Sequence, residues 1–338
     1  MAFWYIGRLE HYYRIRTENP IEEIWACWLK LTDFHYLQPK WDGADEERMT
    51  SVSTYIKQAH EYYRASKVSS LLTRPVLVYY SFLNLAKAFV FLKTDTSPSE
   101  YHGLCNFRVS DCLLDISAET NNGVFITMAK TLGQSLDIKI SFALKDLVAN
   151  MIEMAHAYTD YYRRKGCLVT PNVEVYADGN INVVFPANMF PDGKDHFRQL
   201  LFERTKLAED FEEIPIEDES ITLKLKAVIP PKTIDKEGTA LMRKHFQFSA
   251  FQDDNYYLNI CPPDKQLLPV LSYFASMFLL SSIVRYHPTH VYRFLNDKNT
   301  SVAWFFNILC ERSERVFPNL LWNSLNNAVF KFSGTFSL

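Results

Sequence analysis

The chain has 338 residues, 48% of them hydrophobic and 22% charged, with a formal net charge of −3. That is enough apolar material for one large or two ordinary globular domains, and it excludes a disordered or strongly basic nucleic-acid-coating chain. Only 10 glycines stand against 25 Phe and 19 Tyr, and neither GxGxxG nor GxxxxGK[ST] occurs, which argues against the common glycine-loop routes to nucleotide binding.

Residues 1–45 read as an N-terminal helical extension. The opening MAFWYIGRLEHYYRIR lacks the uninterrupted apolar core of a secretory leader, and Pro20 followed by IEEIWACWLKL predicts a short amphipathic helix with acids in its first turn. A more polar helix is expected over 46–71, and a third, Val76–Leu92, begins behind Pro75. Thr94–Glu100 reads as a loop. Cys112–Ile116 and Val124–Met128 read as short strands around Asn121-Asn122-Gly123, although the second equally opens a helix to Leu132. Leu144–Lys165 reads as one helix, with Arg163-Arg164-Lys165 as its solvated cationic end before Gly166.

Residues 167–262 change character. VEVYADGNINVVF alternates around Asp178-Gly179-Asn180 and predicts a β-hairpin; Ile221–Ile229 and Tyr256–Cys261 read as further strands, and Glu209–Glu219 as an acidic linker. Helices return from Gln266. The run Pro269–Val284 is short for a membrane span and long enough for a buried core helix. The fold class is therefore α+β, with a helical body over 46–165 and 264–338 and a mostly β insertion, antiparallel in pattern, over 167–262.

Scattered cysteines without a CxxC or Cys/His cluster point to free thiols in a reducing, cytoplasmic setting, with no metal and no cofactor. His11, His35, His60, His156, His196 and His245 lack partners at metal-ligand spacing and read as solvated or singly bonded. Asp253-Asp254 reads as a turn. Two patterns carry chemistry. Tyr80, Asn84 and Lys87 form a polar stripe on the helix after Pro75, with Arg74 at its entrance and His102 beyond the next loop. Arg285 and His290, with His287 between them, follow the long apolar run. On a helix Arg285 and His290 project from roughly one side, unless Pro288 between them bends or ends it; held together, such a pair suits metal-free phosphodiester chemistry: a fixed planar cation for phosphate and a proton carrier near neutral pH. The opposing reading of the stripe is structural, with its residues bonding neighbouring helices and fixing their packing, and that of Arg285 and His290 is two ordinary polar residues where a buried helix surfaces.

Arg74-Pro75, Tyr79-Tyr80, Asn84-Leu85-Ala86-Lys87-Ala88, His102-Gly103-Leu104 and SSIVRYHP resemble the signature of YaaC-like proteins. The same YY…N.AKA…HGL pattern is similar to the first helix and loop of HEPN domains, helical bundles found in RNase toxins and antiphage defence. That resemblance implies a predominantly helical HEPN-like bundle. It makes Arg285 and His290 the catalytic pair of a metal-independent RNA-cleaving or RNA-binding effector. Arg74, Tyr80, Asn84, Lys87, His102 and His287 become pocket residues. It also implies RNA as a partner and either a homodimer or a protein encoded in the same operon, with no membrane. A non-catalytic interaction subunit is the alternative.

Overall fold

A computed structural model of the protein describes residues 12–37, 46–94, 97–162, 166–189, 192–215, 219–250, 256–297 and 301–334. The chain is a mixed α+β protein with several small antiparallel sheets. Arg163-Arg164-Lys165, Asp253-Asp254 and His11 lie outside the described residues.

The chain opens with β1 (Tyr12–Thr17), α1 (Pro20–Lys30) and the short α2 (Phe34–Leu37). Asn19 caps α1 through its side chain, Pro20 occupies the first turn, and Glu22 and Glu23 complement the helix dipole. Next come α3 (Glu46–Lys67) and α4 (Arg74–Lys93), the latter opened by Pro75. After them β2 (His102–Arg108), β3 (Ser117–Gly123), α5 (Val124–Thr131) and β4 (Ser141–Ala143) complete a three-stranded antiparallel sheet with one packed helix. Two short helices follow, α6 (Leu144–Val148) and α7 (Ala155–Tyr162).

The middle of the chain runs β5 (Leu168–Val169), β6 (Asn172–Val175), β7 (Ile181–Phe185), α8 (Lys194–Arg204), α9 (Leu207–Asp210), β8 (Phe211–Ile214) and β9 (Ile221–Leu225). It ends with α10 (Ile234–His245), β10 (Gln247–Phe248) and β11 (Tyr256–Asn259). The chain closes with α11 (Pro269–Tyr286), α12 (Pro288–Asn296), α13 (Val302–Asn326) and β12 (Val329–Gly334), which pairs with β1.

Among the described residues, 13–162 with 267–334 form one compact unit and 166–266 another. In the first, α4 and α11 lie in the core against α3 and α13. Both are long and apolar enough to cross a bilayer, and both are mostly buried within this unit. The small buried residues Ser272, Ser276, Ser281 and Ser282 leave room for neighbouring helices to approach α11 closely. Phe82 stacks on Phe317 at 4.0 Å between centroids, and the Trp28 indole donates to the Pro318 carbonyl at 3.0 Å, so α1, α4 and α13 share one core.

In the second unit a three-stranded sheet has the order β10-β11-β5, and a four-stranded sheet has the order β6-β7-β9-β8, antiparallel throughout. Its alternate residues, Val173, Val175, Ile181, Val183, Ile221 and Leu223 among them, are buried in a shared core. The expected hairpin forms, with Gly179 at φ +89°. A Cβ there would lie 1.8 Å from the Ile229 carbonyl oxygen, so the turn accepts only glycine without rearrangement.

Several expectations need correction. Leu144–Lys165 is not one helix. Buried Asn150 donates to the Asp146 carbonyl at 2.7 Å and accepts from the Leu267 amide at 3.2 Å, and Met151 behind it is extended. A side chain that bonds the backbone locally competes with helix continuation. Cys112–Ile116 is a 3-10 turn at Leu113–Asp115 rather than a strand, and Asn121-Asn122-Gly123 ends β3 directly before α5. The helical reading of Val124 onward is the one realised. The acidic segment supplies a strand: Phe211 is buried and β8 pairs along β9. The strand expected to Ile229 stops at Leu225.

Gly103, at φ +85°, stands where an added Cβ would meet the Phe125 amide nitrogen at 2.7 Å. Gly103→Ala should therefore lower stability by roughly 2 kcal/mol or more, combining left-handed backbone strain with a backbone collision. Urea unfolding of the two proteins measures this; equal midpoints would show that β2 does not hold this geometry.

Candidate functional site

The residues singled out by sequence fall into separate environments. Arg74 belongs to a buried ion-pair network. Its Nε donates to Glu314 Oε1 at 2.7 Å and its Nη2 to Glu314 Oε2 at 2.9 Å, a bidentate pair in which the carboxylate side chain is 1% exposed. Lys67 Nζ and Ser66 Oγ complete the shell around Glu314, and Asn307 accepts from Arg74 Nη1. The hydrogen bonds to Glu314 raise the Arg74 pKa further. This network joins α3, α4 and α13 around one buried carboxylate. Asn84, buried, donates to the Tyr80 carbonyl one turn back on its own helix. The stripe Tyr80–Asn84–Lys87 is therefore divided: Asn84 is spent locally, whereas Tyr80 and Lys87 face other partners.

Around Tyr80 a different group assembles. Arg285 Nη1 donates to the Tyr80 hydroxyl at 3.3 Å, with the guanidinium carbon 5.8 Å from the Tyr80 ring centre and 5.0 Å from that of Tyr286. Tyr62 stacks on Tyr80 at 5.6 Å. The His102 ring stands edge-on to Tyr80 at 6.5 Å, and His102 Nδ1 is 2.7 Å from the buried Tyr79 hydroxyl. Lys87 lies 5.6 Å from the Tyr55 ring centre. Neither Arg285 nor Lys87 has an ion-pair partner at contact distance among the described residues, although the charge of Glu100 acts on Lys87. Burial lowers the His102 pKa, and the charges of Arg285 and Lys87 push it the same way, so the ring is neutral at pH 7. Burial also lowers the Lys87 pKa.

Arg285 and His290 do not share one helix. Helix α11 ends at Tyr286, His287 adopts φ −135° and ψ 54°, and Pro288 starts α12, as expected where proline bars the preceding residue from helical backbone. Arg285 contacts Tyr80, Tyr286 and the Ser281 carbonyl. His290 instead meets the His287 ring edge-on at 5.7 Å, with Asp111 at 3.8 Å, and its Nδ1 is buried with no partner among the described residues. His287 also lies against Phe107.

The YaaC-like protein family matches residues 25–325. The chain belongs to the YaaC-like family. No curated protein and no solved structure matches it. In this YaaC-like protein the sequence missed Glu314, Tyr62 and Asp111. Glu314 could have been suspected because it falls on an otherwise apolar stripe of α13, between Cys310, Phe317 and Leu321. Nothing local marked Tyr62 or Asp111.

Two outcomes follow. Glu314→Ala leaves the largely buried Arg74 with only the exposed Glu311 carboxylate at 4.0 Å and should cost about 3–5 kcal/mol in chemical denaturation; a loss below 1 kcal/mol would show the pair to be dispensable. For His102, the unfolded chain takes up the proton first, near pH 6.5. Its contribution is thus complete above that pH and is lost as pH falls toward the lower folded value. Unfolding free energy measured from pH 7.5 to 5 should drop less steeply in His102→Gln than in the parent; identical slopes would remove His102 from the balance.

Proposed function

We propose that this YaaC-like protein binds single-stranded RNA at the Arg285–Tyr80–Lys87 cluster and cleaves it without a metal. The observation that carries this reading is a pair of partly buried cations with no carboxylate at ion-pair distance among the described residues, set among tyrosine rings. A cation held out of bulk water without a counter-charge is costly, and a bound phosphate offsets that cost. Stacked and exposed rings beside such cations suit unpaired bases, which stack on aromatic faces whatever their sequence. Tyr286, 65% exposed beside Arg285, is placed for that role.

Cleavage divides between the two sides of the α11–α12 break. Arg285 stabilises the charge that develops on phosphorus as the RNA 2′-oxygen attacks. The neighbouring His287 and His290 supply the proton transfers: one imidazole takes the 2′-hydroxyl proton and the other, protonated, returns one to the departing 5′-oxygen. The products are a 2′,3′-cyclic phosphate and a free 5′-hydroxyl, and DNA is left intact because it lacks the nucleophile. The similarity of YY…N.AKA…HGL to HEPN domains supports the same chemistry and a cytoplasmic role in antiphage defence. The exposed rings of Tyr286, Tyr292 and Trp304 favour a second reading, a non-catalytic subunit that docks a second copy or an operon-encoded protein.

A mixed single-stranded RNA pool incubated in EDTA tests the first reading. Arg285→Ala should weaken RNA binding about tenfold in fluorescence anisotropy and flatten its salt dependence, as expected for one lost phosphate contact. Arg285→Ala and His290→Ala should both abolish formation of cyclic-phosphate ends. Binding unchanged in Arg285→Ala would sink the proposal, and binding without cleavage by the parent protein would select the non-catalytic subunit.

A further inference from the structure

Tyr79 and His102 form a pairing that the reading above leaves unused. The Tyr79 ring is fully buried, held edge-on by Phe274 and Phe278 of α11 at 5.6 and 5.5 Å. Its hydroxyl stays protonated, because burial drives its pKa well above the ordinary tyrosine value. A buried O–H must donate to an acceptor or forfeit a hydrogen bond, and His102 Nδ1, at 2.7 Å, is the acceptor the structure supplies. Nδ1 therefore carries a lone pair, and in the neutral ring the proton resides on Nε2. Nε2 has no protein partner among the described residues and is not one of the buried, unbonded atoms, so solvent reaches it.

The ring is also fixed in place. His102 begins β2 opposite Gly123, and the close approach of Gly103 to the first turn of α5 sets the strand position. Tyr80 lies between His102 and Arg285, touching one edge-on and the other through its hydroxyl, so both donors flank a single tyrosine.

We infer that His102 holds an RNA phosphate oxygen as a neutral Nε2–H donor, its tautomer fixed by Tyr79, in one site with Arg285. This rests on the RNA-binding reading and assigns His102 to positioning the phosphate, not to proton transfer. A neutral donor keeps its hydrogen bond across the pH range in which an imidazolium would lose its charge. Arg285 and Lys87, together with Tyr79 and Tyr80, are the titratable groups near it, and both cations oppose its protonation. Glu100 acts on Lys87.

The test joins binding to a spectroscopic signature. In 15N-histidine-labelled protein at pH 7, His102 should show a protonated Nε2 and an unprotonated Nδ1, and the Nε2 resonance should move when single-stranded RNA is added. His102→Ala should weaken RNA binding about tenfold, whereas His102→Gln, which keeps a neutral N–H donor, should stay within about threefold of the parent. Tyr79→Phe should release the tautomer, visible as partial protonation of Nδ1, and thermal melts confirm that each variant is folded. The inference is overturned if Nδ1 carries the proton, or if His102→Ala binds RNA as tightly as the parent while Arg285→Ala does not. If the parent protein binds no RNA, or Arg285→Ala changes nothing, the underlying reading itself has failed.

Discussion

The burial of Tyr79 between α4 and α11 sets both the packing of the helical unit and the chemistry at its surface. Its ring fills the space between two apolar helices, while its hydroxyl reaches the first residue of β2. On a helix, consecutive residues point about 100° apart. Fixing Tyr79 inward therefore sends Tyr80 toward the rim, where it meets Arg285 at the C-terminal end of α11. The cluster of cations and rings is a consequence of how two hydrophobic helices pack, not a feature added to an independent scaffold.

The first residue of α4, little more than a turn before Tyr79, is held by chemistry of the opposite kind. Glu314 is buried with Arg74, Lys67 and Ser66 around it, so three helices are tied by one carboxylate. Such a group contributes little net stability compared with apolar packing, yet removing one partner strands a charge in low dielectric. Geometry here is fixed by what would be lost on deviation. Along one helix an ion-paired network thus precedes a cluster of cations and rings by about two turns.

Elements with strong local periodicity were legible in the sequence. The helices behind Pro20, Pro75 and Pro269 and the hairpin around Gly179 carry their own start signals and turn chemistry. Illegible features depended on partners remote in the chain. Asn150 interrupts the expected long helix because it bonds the amide of Leu267, more than a hundred positions away. The acidic run became a strand because Phe211 has a core to enter. The polar stripe on α4 was visible as a pattern, but spacing could not show that Arg74 was paired with a carboxylate while Lys87 lay against a ring. The spacing of Arg285 and His290 suits one helix face, but Pro288 between them was a legible local break, and there the structure has two helices.

This contrast offers a physical criterion for separating structural from ligand-facing cations. Arg74, Arg198 and Lys244 each lie against carboxylates at ion-pair distance. For them a ligand phosphate would have to displace an existing anion, losing about what it gains. Arg285 and Lys87 have rings where the others have carboxylates. A ring stabilises a cation without neutralising it, so the charge remains available to an incoming anion while its side chain is already ordered. Preorganisation of this kind lowers the entropy lost on binding, which is why the cluster around Tyr80, rather than the better-bonded entrance at Arg74, is where the phosphate of a polyanionic ligand would gain most.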